Sequence, residues 1–264
     1  MTETRKWDDL APRLISGAAM AAGGLGLVAA GGVWFAALAV VCATLMIWEL
    51  ASMTAPGKSG EAVGLALIAG LSLTAVLYFH RPLLLPVLLL PTVAGAVTPG
   101  RRLRIDYVVY SAMIMLASYG LVAFREGYGM LWLMWLVLVV VMTDIAGYFA
   151  GRVVGGPKFW PAISPKKTWS GTAAGWIAAA IIGWIFLWFT TAGIDLIWIS
   201  ALLAFSSQLG DIAESAIKRR AGVKDSSNLI PGHGGLMDRF DGLLGAALFM
   251  LLVAQFTPVP VLRL

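Results

Sequence analysis

Carboxylates recur at helical spacing in one polar segment of the chain, residues 206–241, which lies between two long apolar runs. Its acids are Asp211, Glu214, Asp225, Asp238 and Asp241, out of fourteen acidic residues in the whole chain. Membrane proteins keep so many charges beside the bilayer mainly where the charges have a function. A solvated loop without a chemical role is the alternative, since runs of charge commonly form such loops.

The spacing of these acids predicts two carboxylate pairs that can share a metal ion. If the apolar helix before the segment continues past Leu209, Asp211 and Glu214 lie on one of its faces. Asp238 and Asp241 are also three residues apart, at the start of the following apolar run. Two antiparallel helices that each present a pair of carboxylates form an all-oxygen site, which suits Mg²⁺ together with phosphate oxygens of a substrate.

Basic side chains and a glycine-rich turn in the same segment are suited to binding that phosphate. The turn, residues 231–235, reads Pro-Gly-His-Gly-Gly, and its backbone can approach a phosphate closely. The basic residues that would neutralise phosphate charge are Lys218, Arg219, Lys224 and Arg239. These features predict metal-dependent phosphoryl or nucleotidyl transfer at the cytoplasmic lipid interface.

A second polar loop, Ser164–Thr168, stands immediately before a glycine-rich apolar run. Its sequence, SPKKT, combines hydroxyl groups with Lys166 and Lys167, and such groups near a helix N-terminus bind phosphate. The alternative is a basic loop that only orients the protein in the bilayer. The sequence contains neither a P-loop nor a dinucleotide-binding glycine motif.

Two further acids, Glu49 and Asp144, fall within apolar runs or close to their ends. An ionised carboxylate there needs a polar cavity or a basic partner. Asp144 precedes small and polar residues at the end of its run, which favours a functional role. For Glu49, a structural pairing and a functional role are both compatible with the sequence.

The elements that position these residues are predicted to be membrane-spanning helices. Of the 264 residues, 59% are hydrophobic and only 12% are charged, which excludes an ordinary soluble protein. We therefore predict an all-α integral membrane protein with a single polytopic domain, 1–264, and no separate soluble module. Its active-site region is built from 144–171 and 206–241. The single cysteine, Cys42, excludes an intrachain disulfide and a cysteine-based metal site.

About nine apolar runs are predicted to cross the membrane. They are Leu14–Ala30, Val33–Met53, Ala62–Phe79, Leu83–Val97, Tyr107–Phe124, Met130–Ala150, Thr172–Thr190, Leu196–Leu209 and Gly242–Phe256. The first is interpreted as a retained span rather than a signal peptide, because Asp8 and Asp9 interrupt its basic flank. With a cytoplasmic N-terminus and an outer C-terminus, all but three of the nineteen basic residues lie on the cytoplasmic side, as does the 206–241 segment.

The segment Ser215–Asp241 resembles the signature of the phosphatidate cytidylyltransferases, also called CDP-diacylglycerol synthases. It reads SAIKRRAGVKDSSNLIPGHGGLMDRFD, and the stretches SQLGDIAES, SPKKTWSG and DIAGYFAGR are also similar to that family. Together they cover roughly the C-terminal half of the chain; the first five spans resemble family members only in being apolar. Ser170 stands where an acidic residue is expected and Gly147 where alanine is usual, and neither is an expected metal ligand.

The resemblance implies that CTP and phosphatidate are converted to CDP-diacylglycerol and pyrophosphate in phospholipid biosynthesis, with Mg²⁺ as cofactor. The lipid phosphate would attack the α-phosphorus of CTP as pyrophosphate leaves. The expected catalytic residues are Asp211, Asp238, Lys218 and Lys167, and the expected metal ligands are Asp211 and Asp238, with Asp241 and Glu214 adjacent. The expected substrate-binding residues are Ser164, Lys166, Thr168, Arg219, Lys224, His233, Gly234, Gly235 and Arg239. His233 would donate a hydrogen bond to phosphate rather than act as a base.

The implied setting is the cytoplasmic (inner) membrane, with the active site facing the cytoplasm and the lipid bilayer as a partner. A homodimer is expected from the family, and nucleic acid is not expected as a partner. Two other functions stay open. A CTP-dependent lipid kinase would release CDP instead of pyrophosphate. A transporter of an anionic solute would use Glu49 and Asp144, but transporters concentrate polar groups near the bilayer midplane, whereas this chain concentrates them at one surface.

Overall fold

A computed structural model describes residues 22–230, 232 and 234–256. Residues 22–30 are helical. The elements that follow are α1 (Gly32–Thr54), α2 (Ser59–Phe79), a 3₁₀ helix (Pro82–Leu89), α3 (Leu90–Val97), α4 (Arg104–Tyr128), α5 (Met130–Val153), β1 (Lys158–Trp160), β2 (Ser164–Thr168), α6 (Trp169–Phe186), α7 (Asp195–Ala221) and α8 (Met237–Val253).

Among the described helices, α1, α2, α4, α5, α6 and α7 are long and apolar enough to cross a membrane. An α-helix satisfies its backbone hydrogen bonds internally, which is why long apolar runs take this form in lipid. Large apolar side chains such as Leu71, Val141 and Ile177 are exposed on these helices and would contact lipid. The prediction of a helical, multi-pass membrane protein is therefore confirmed.

Three predicted spans differ from these helices. The run Leu83–Val97 consists of the 3₁₀ helix followed by α3, because its prolines, including Pro86, lack the backbone donor that a continuous α-helix needs. The last predicted span corresponds to α8, which has 17 residues. The first, Leu14–Ala30, lies partly outside the described residues. The number of nine spans and the orientation of the termini stay predictions.

The described residues form two compact units. One comprises the residues up to Val122 together with Arg220–Arg239. The other comprises Ala123–Arg219 and the residues from Phe240 onward. Helices α4, α7 and α8 contribute residues to both units. A single polytopic domain over the whole chain stays a prediction.

Helices α1 and α2 pack against each other in the first unit, and their buried faces are largely apolar. Ile47 and Leu50 of α1 and Leu73 of α2 are completely buried, as is Ile114 of α4. Lipid is as apolar as these side chains, so close packing rather than exclusion of water stabilises such helix contacts.

A buried arginine joins the ends of four helices in this unit. Arg101 donates to the Thr54 hydroxyl at 2.6 Å and to the Gly95 carbonyl at 3.1 Å. It also pairs with the Glu61 carboxylate, and its guanidinium lies 4.0 Å from the centroid of the Tyr107 ring. A charged group can be buried here because its charge and its donors are matched.

Small and polar residues mediate the contacts among α5, α6 and α7 in the second unit. A Cβ atom added at Gly171 of α6 would lie 2.5 Å from the carbonyl oxygen of Gly147 in α5, so this approach requires glycine. The Trp135 indole of α5 donates to the Ser200 hydroxyl of α7 at 3.1 Å. These contacts set the spacing of the three helices that surround the candidate site.

A short two-stranded antiparallel hairpin, which the sequence did not predict, lies in the segment between α5 and α6. The rings of Phe159 and Trp169 pack edge to face, with their centroids 4.6 Å apart. Thr168 at the end of β2 caps α6, because its hydroxyl accepts a hydrogen bond from the Gly171 N–H at 3.2 Å. The hairpin thereby carries the two lysines of the SPKKT sequence to the N-terminal end of α6.

Candidate active site

Three carboxylates from α7 and α8 converge in the second unit. One oxygen from each of Asp211, Glu214 and Asp241 lies within 4.8 Å of the other two, and we call these residues the carboxylate cluster. Glu214 is completely buried, whereas Asp211 and Asp241 are half-buried. Negative charges this close repel one another strongly, so the cluster needs compensating cations.

Close contact between the backbones of α7 and α8 brings these acids together. A Cβ atom added at Gly210 would lie 2.3 Å from the carbonyl oxygen of Asp241. One added at Gly245 would lie 2.2 Å from the carbonyl oxygen of Ser206. Only glycine permits these approaches. They bring the start of α8 against the residue that precedes Asp211.

Two lysines supply positive charge to the carboxylate cluster. Lys167 Nζ lies 2.5 Å from an oxygen of Asp211, and Lys218 Nζ lies 2.5 Å from an oxygen of Glu214. The Ser215 hydroxyl donates to Asp211 at 3.2 Å. The continuation of α7 beyond its predicted span and the shared face of its polar residues are thus confirmed.

The donor set of the carboxylate cluster suits a hard divalent cation. Carboxylate oxygens are the ligands that Mg²⁺, Ca²⁺ and Mn²⁺ prefer in proteins. The cluster contains no cysteine or histidine, which disfavours zinc. Three carboxylates outnumber the two lysines, so a negative charge remains for a cation to neutralise. The residues present therefore fit a bound metal ion.

A cavity of about 470 Å³ lies among α5, β2, α6 and α7. It is lined by glycines and by polar or charged side chains. Those on which the site depends are Asp144, Arg152, Lys166, Lys167 and Gln208. Lys167 belongs to both the cavity wall and the ion pair with Asp211, so the cavity and the carboxylate cluster adjoin.

Gln208 is a cavity residue that sequence analysis missed. Its side-chain oxygen accepts from the Trp176 indole at 2.9 Å, and its amide donates to the Thr172 carbonyl at 3.4 Å. These bonds hold it against α6. The sequence could have indicated this residue, because Gln208 stands three residues before Asp211 and both side chains therefore lie on one face of α7.

The glycine-rich loop that precedes α8 belongs to the first unit, and a carboxylate organises it. One oxygen of Asp238 accepts hydrogen bonds from the Ser226 N–H at 2.9 Å, the Ser226 hydroxyl at 2.9 Å and the Gly235 N–H at 2.8 Å. Gly234 has a φ of +84°, a conformation that glycine adopts without strain. Asp238 thus makes structural contacts that the sequence did not predict, and its metal-binding role stays a prediction.

The other predicted substrate-binding residues occupy varied surroundings. Arg219, Lys224, Arg239 and Lys166 are exposed, and Ser164 is half-buried. Thr168 is buried and its hydroxyl caps α6. His233 lies outside the described residues. The roles proposed for this group from the sequence stay predictions.

Sequence comparisons point to one family. The family described as "Cytidylyltransferase family" matches residues 11–257. A phosphatidate cytidylyltransferase of Brucella suis is 43% identical over 157 residues, which is 58% of this chain and 56% of that protein. The protein of the same name from Bacillus subtilis is 40% identical over 136 residues, 50% of this chain and 51% of that protein.

A phosphatidate cytidylyltransferase of Mycobacterium tuberculosis is 37% identical over 178 residues, 64% of this chain and 53% of that protein. The chain thus spans about half the length of the curated relatives that it matches. The family match extends over most of the chain, including the carboxylate cluster, the lysines and the glycine-rich loop. The chain therefore belongs to the cytidylyltransferase family.

Proposed function

We propose that the chain transfers a cytidylyl group from CTP to phosphatidate, which yields CDP-diacylglycerol and pyrophosphate. The observation that carries the proposal is the carboxylate cluster, which is ion-paired to Lys167 and Lys218 beside a polar cavity. A metal-binding group, phosphate-binding ammonium groups and a polar cavity that can hold a phosphate together suit a reaction between a nucleotide and a lipid phosphate. The names of the relatives support CTP and phosphatidate as the substrates.

Mg²⁺ is the proposed cofactor, and Asp211, Glu214 and Asp241 of the carboxylate cluster would hold it. The family resemblance also implies Asp238 as a metal ligand. When bound, the ion would neutralise phosphate oxygens and favour displacement at phosphorus. Mg²⁺ in nucleotide enzymes is typically held by one or two carboxylates plus substrate phosphates. A cluster of three half-buried or buried acids meets that requirement.

Lys167 and Lys218 are proposed to bind the phosphates of the substrates. Each ammonium group contacts a carboxylate that a bound divalent cation would neutralise. Binding of metal and substrate would therefore allow the ammonium groups to turn toward phosphate oxygens, where they stabilise developing charge. Strong proton abstraction is not required, because the attacking phosphate is already an anion near neutral pH. Positioning and charge stabilisation account for the proposed chemistry.

The cavity beside Lys167 is proposed to receive the lipid phosphate. Arg152 and Lys166 on its wall would bind that phosphate. Asp144 on the same wall is proposed as an additional acid close to the metal. Arg152 donates to the Tyr148 hydroxyl at 2.8 Å, which restrains its side chain.

The glycine-rich loop and its basic neighbours are proposed to bind the phosphates of CTP. Gly234 and Gly235 supply backbone donors, and His233 supplies a side-chain donor. Arg219, Lys224 and Arg239 supply positive charge in the same stretch of sequence. We further propose a cytoplasmic-membrane location with this surface facing the cytoplasm, on the strength of the basic-residue bias. A homodimer stays a prediction from the family resemblance.

The test is incorporation of α-labelled CTP into lipid by the purified chain, with phosphatidate and Mg²⁺ present. We expect labelled CDP-diacylglycerol and an equal amount of pyrophosphate. The Asp211→Asn variant should lose activity by about 100-fold or more, because it weakens the metal site. The matched control is Asp195→Asn in the same helix. Asp195 is exposed, and its one described hydrogen bond is with the indole of Trp198.

Other products would refute the proposal and identify another function. Release of CDP with transfer of a single phosphate to lipid would indicate a CTP-dependent lipid kinase. Solute flux in proteoliposomes without any chemical turnover would indicate a transporter. An Asp211→Asn variant as active as wild type would separate the carboxylate cluster from the reaction.

A further inference from the structure

Glu49 is a completely buried acid near the C-terminal end of α1, in the first unit. One of its oxygens accepts from the Ser227 hydroxyl at 2.6 Å and from the Leu236 N–H at 2.8 Å. The other accepts from the Met237 N–H at 2.7 Å. The Ser226 hydroxyl lies 3.3 Å from this second oxygen, but it has one proton and is closer to Asp238, at 2.9 Å. A buried acid thus receives three hydrogen bonds from one distant segment, which reduces the cost of its burial.

Two of these bonds fix the beginning of α8. The first N–H groups of a helix have no carbonyl partner within the helix, and they carry the positive end of its dipole. Met237 is the first residue of α8, and Leu236 immediately precedes it. The Glu49 carboxylate supplies the missing acceptors and a complementary charge from 187 and 188 positions away in the sequence.

The same acid is packed against the glycine-rich loop. A Cβ atom added at Gly235 would lie 1.9 Å from the Ser226 hydroxyl oxygen and 2.6 Å from a Glu49 oxygen. The Ser226 hydroxyl lies between the Glu49 and Asp238 carboxylates and can donate its one proton to only one of them at a time. Glu49, Ser226 and Asp238 therefore surround Gly235 and leave no space for another side chain.

We infer that Glu49 is a positioning residue that holds Ser227, Leu236 and the first turn of α8 in the arrangement that presents Asp238. This inference deepens the proposed function and rests on it only for the consequences on catalysis. It also assigns a role to a residue in the N-terminal half of the chain. Glu49 acts through the loop and not by contact with substrate.

Replacement by glutamine is a sensitive test, because each oxygen of Glu49 accepts from a different backbone N–H. Whichever way the glutamine amide is oriented, its NH₂ group faces one of the two backbone N–H groups. Serine hydroxyls can rotate to accept instead of donate, but a backbone N–H cannot. Glu49→Gln therefore leaves a buried backbone donor without an acceptor although the side-chain size is unchanged.

The first measurement is hydrogen exchange of the full-length chain in detergent, which needs no assumption about activity. In Glu49→Gln, the amides of Leu236 and Met237 should exchange roughly tenfold faster or more than in wild type. The matched control is Glu126→Gln, an exposed acid of α4, whose exchange in this loop should equal that of wild type. Unchanged protection in Glu49→Gln would overturn the inference.

The second measurement is the Mg²⁺ dependence of CDP-lipid formation. Glu49→Gln should need a severalfold higher Mg²⁺ concentration than wild type to reach its half-maximal rate. Its melting temperature should stay close to that of wild type while its activity falls. Unchanged Mg²⁺ dependence would overturn the inference. If Glu49→Gln does not fold, Ser227→Ala serves as the second variant, because it removes one of the three bonds to Glu49. It should show a smaller change in the same direction, and an unchanged Mg²⁺ dependence there would also overturn the inference. The two hypotheses can fail separately. If the loop exchanges faster in Glu49→Gln but the wild-type chain makes no CDP-lipid, the proposed function is refuted and the role of Glu49 in the loop still holds.

Discussion

The contact between α7 and α8 permits a quantitative prediction about the carboxylate cluster. In Gly245→Ala, the added Cβ atom would lie 2.2 Å from the Ser206 carbonyl oxygen and 3.1 Å from backbone atoms of Gly210. The two helices must then separate by roughly 1 Å to restore van der Waals contact. Because Asp211 lies on α7 and Asp241 on α8, the separation widens the cluster by a similar distance. A misplacement of about 1 Å can cost about 100-fold in rate.

The assay combines Mn²⁺ binding, followed by electron paramagnetic resonance, with the rate of CDP-lipid formation. Gly245→Ala should bind Mn²⁺ at least about tenfold more weakly and should lose about 100-fold in rate. The control is Gly64→Ala, in the interior of α2, where an added Cβ atom meets no atom within 4 Å. It should match wild type in both measurements, with stability equal or slightly higher because alanine favours helix. Wild-type Mn²⁺ affinity and rate in Gly245→Ala would refute the account of the helix contact.

Three further substitutions test separate contacts. Lys218→Gln removes the cation that pairs with buried Glu214, so the variant should melt at a lower temperature than wild type when Mg²⁺ is absent. Adding Mg²⁺ should raise the melting temperature of the variant more than that of wild type, and an equal rise in both would contradict the pairing. Arg101→Met removes the positive charge that pairs with the Glu61 carboxylate and should lower the free energy of unfolding by about 3 kcal/mol, measured by thermal melting in detergent. A loss below about 1 kcal/mol would contradict the stabilising role of this ion pair. Thr168→Val removes the cap of α6 at constant size and should cost about 1 kcal/mol in the same measurement, whereas an unchanged melting temperature would show that the cap contributes nothing.

Helical spacing predicted the polar face of α7 correctly, because residues three and four apart must lie together once the segment is helical. Asp211, Glu214, Ser215 and Lys218 make the expected contacts. The spacing of the acids does not predict which group each carboxylate contacts. Asp238 and Asp241 were grouped by the same rule, yet Asp238 bonds the glycine-rich loop while Asp241 joins the carboxylate cluster.

Two features required information that local sequence does not carry. Glu49 bonds residues that follow it by 178 to 188 positions, and no periodicity links such distant groups. The hairpin that carries Lys167 lies in a segment that was predicted only as a polar loop. By contrast, the 3₁₀ helix at Pro82–Leu89 could have been anticipated, since Pro86 cannot donate the bond that an α-helix needs there.

The most direct test of the central claim compares Asp241→Asn with Asp195→Asn in Mg²⁺-dependent transfer of label from CTP to phosphatidate. Asp241 belongs to the carboxylate cluster, whereas Asp195 is an exposed acid at the beginning of α7. We predict that Asp195→Asn retains the wild-type rate and that Asp241→Asn loses about 100-fold or more, with wild-type transfer abolished by a chelator of divalent ions. CDP-lipid formation at the wild-type rate by Asp241→Asn, or by wild type in the presence of the chelator, would contradict the account.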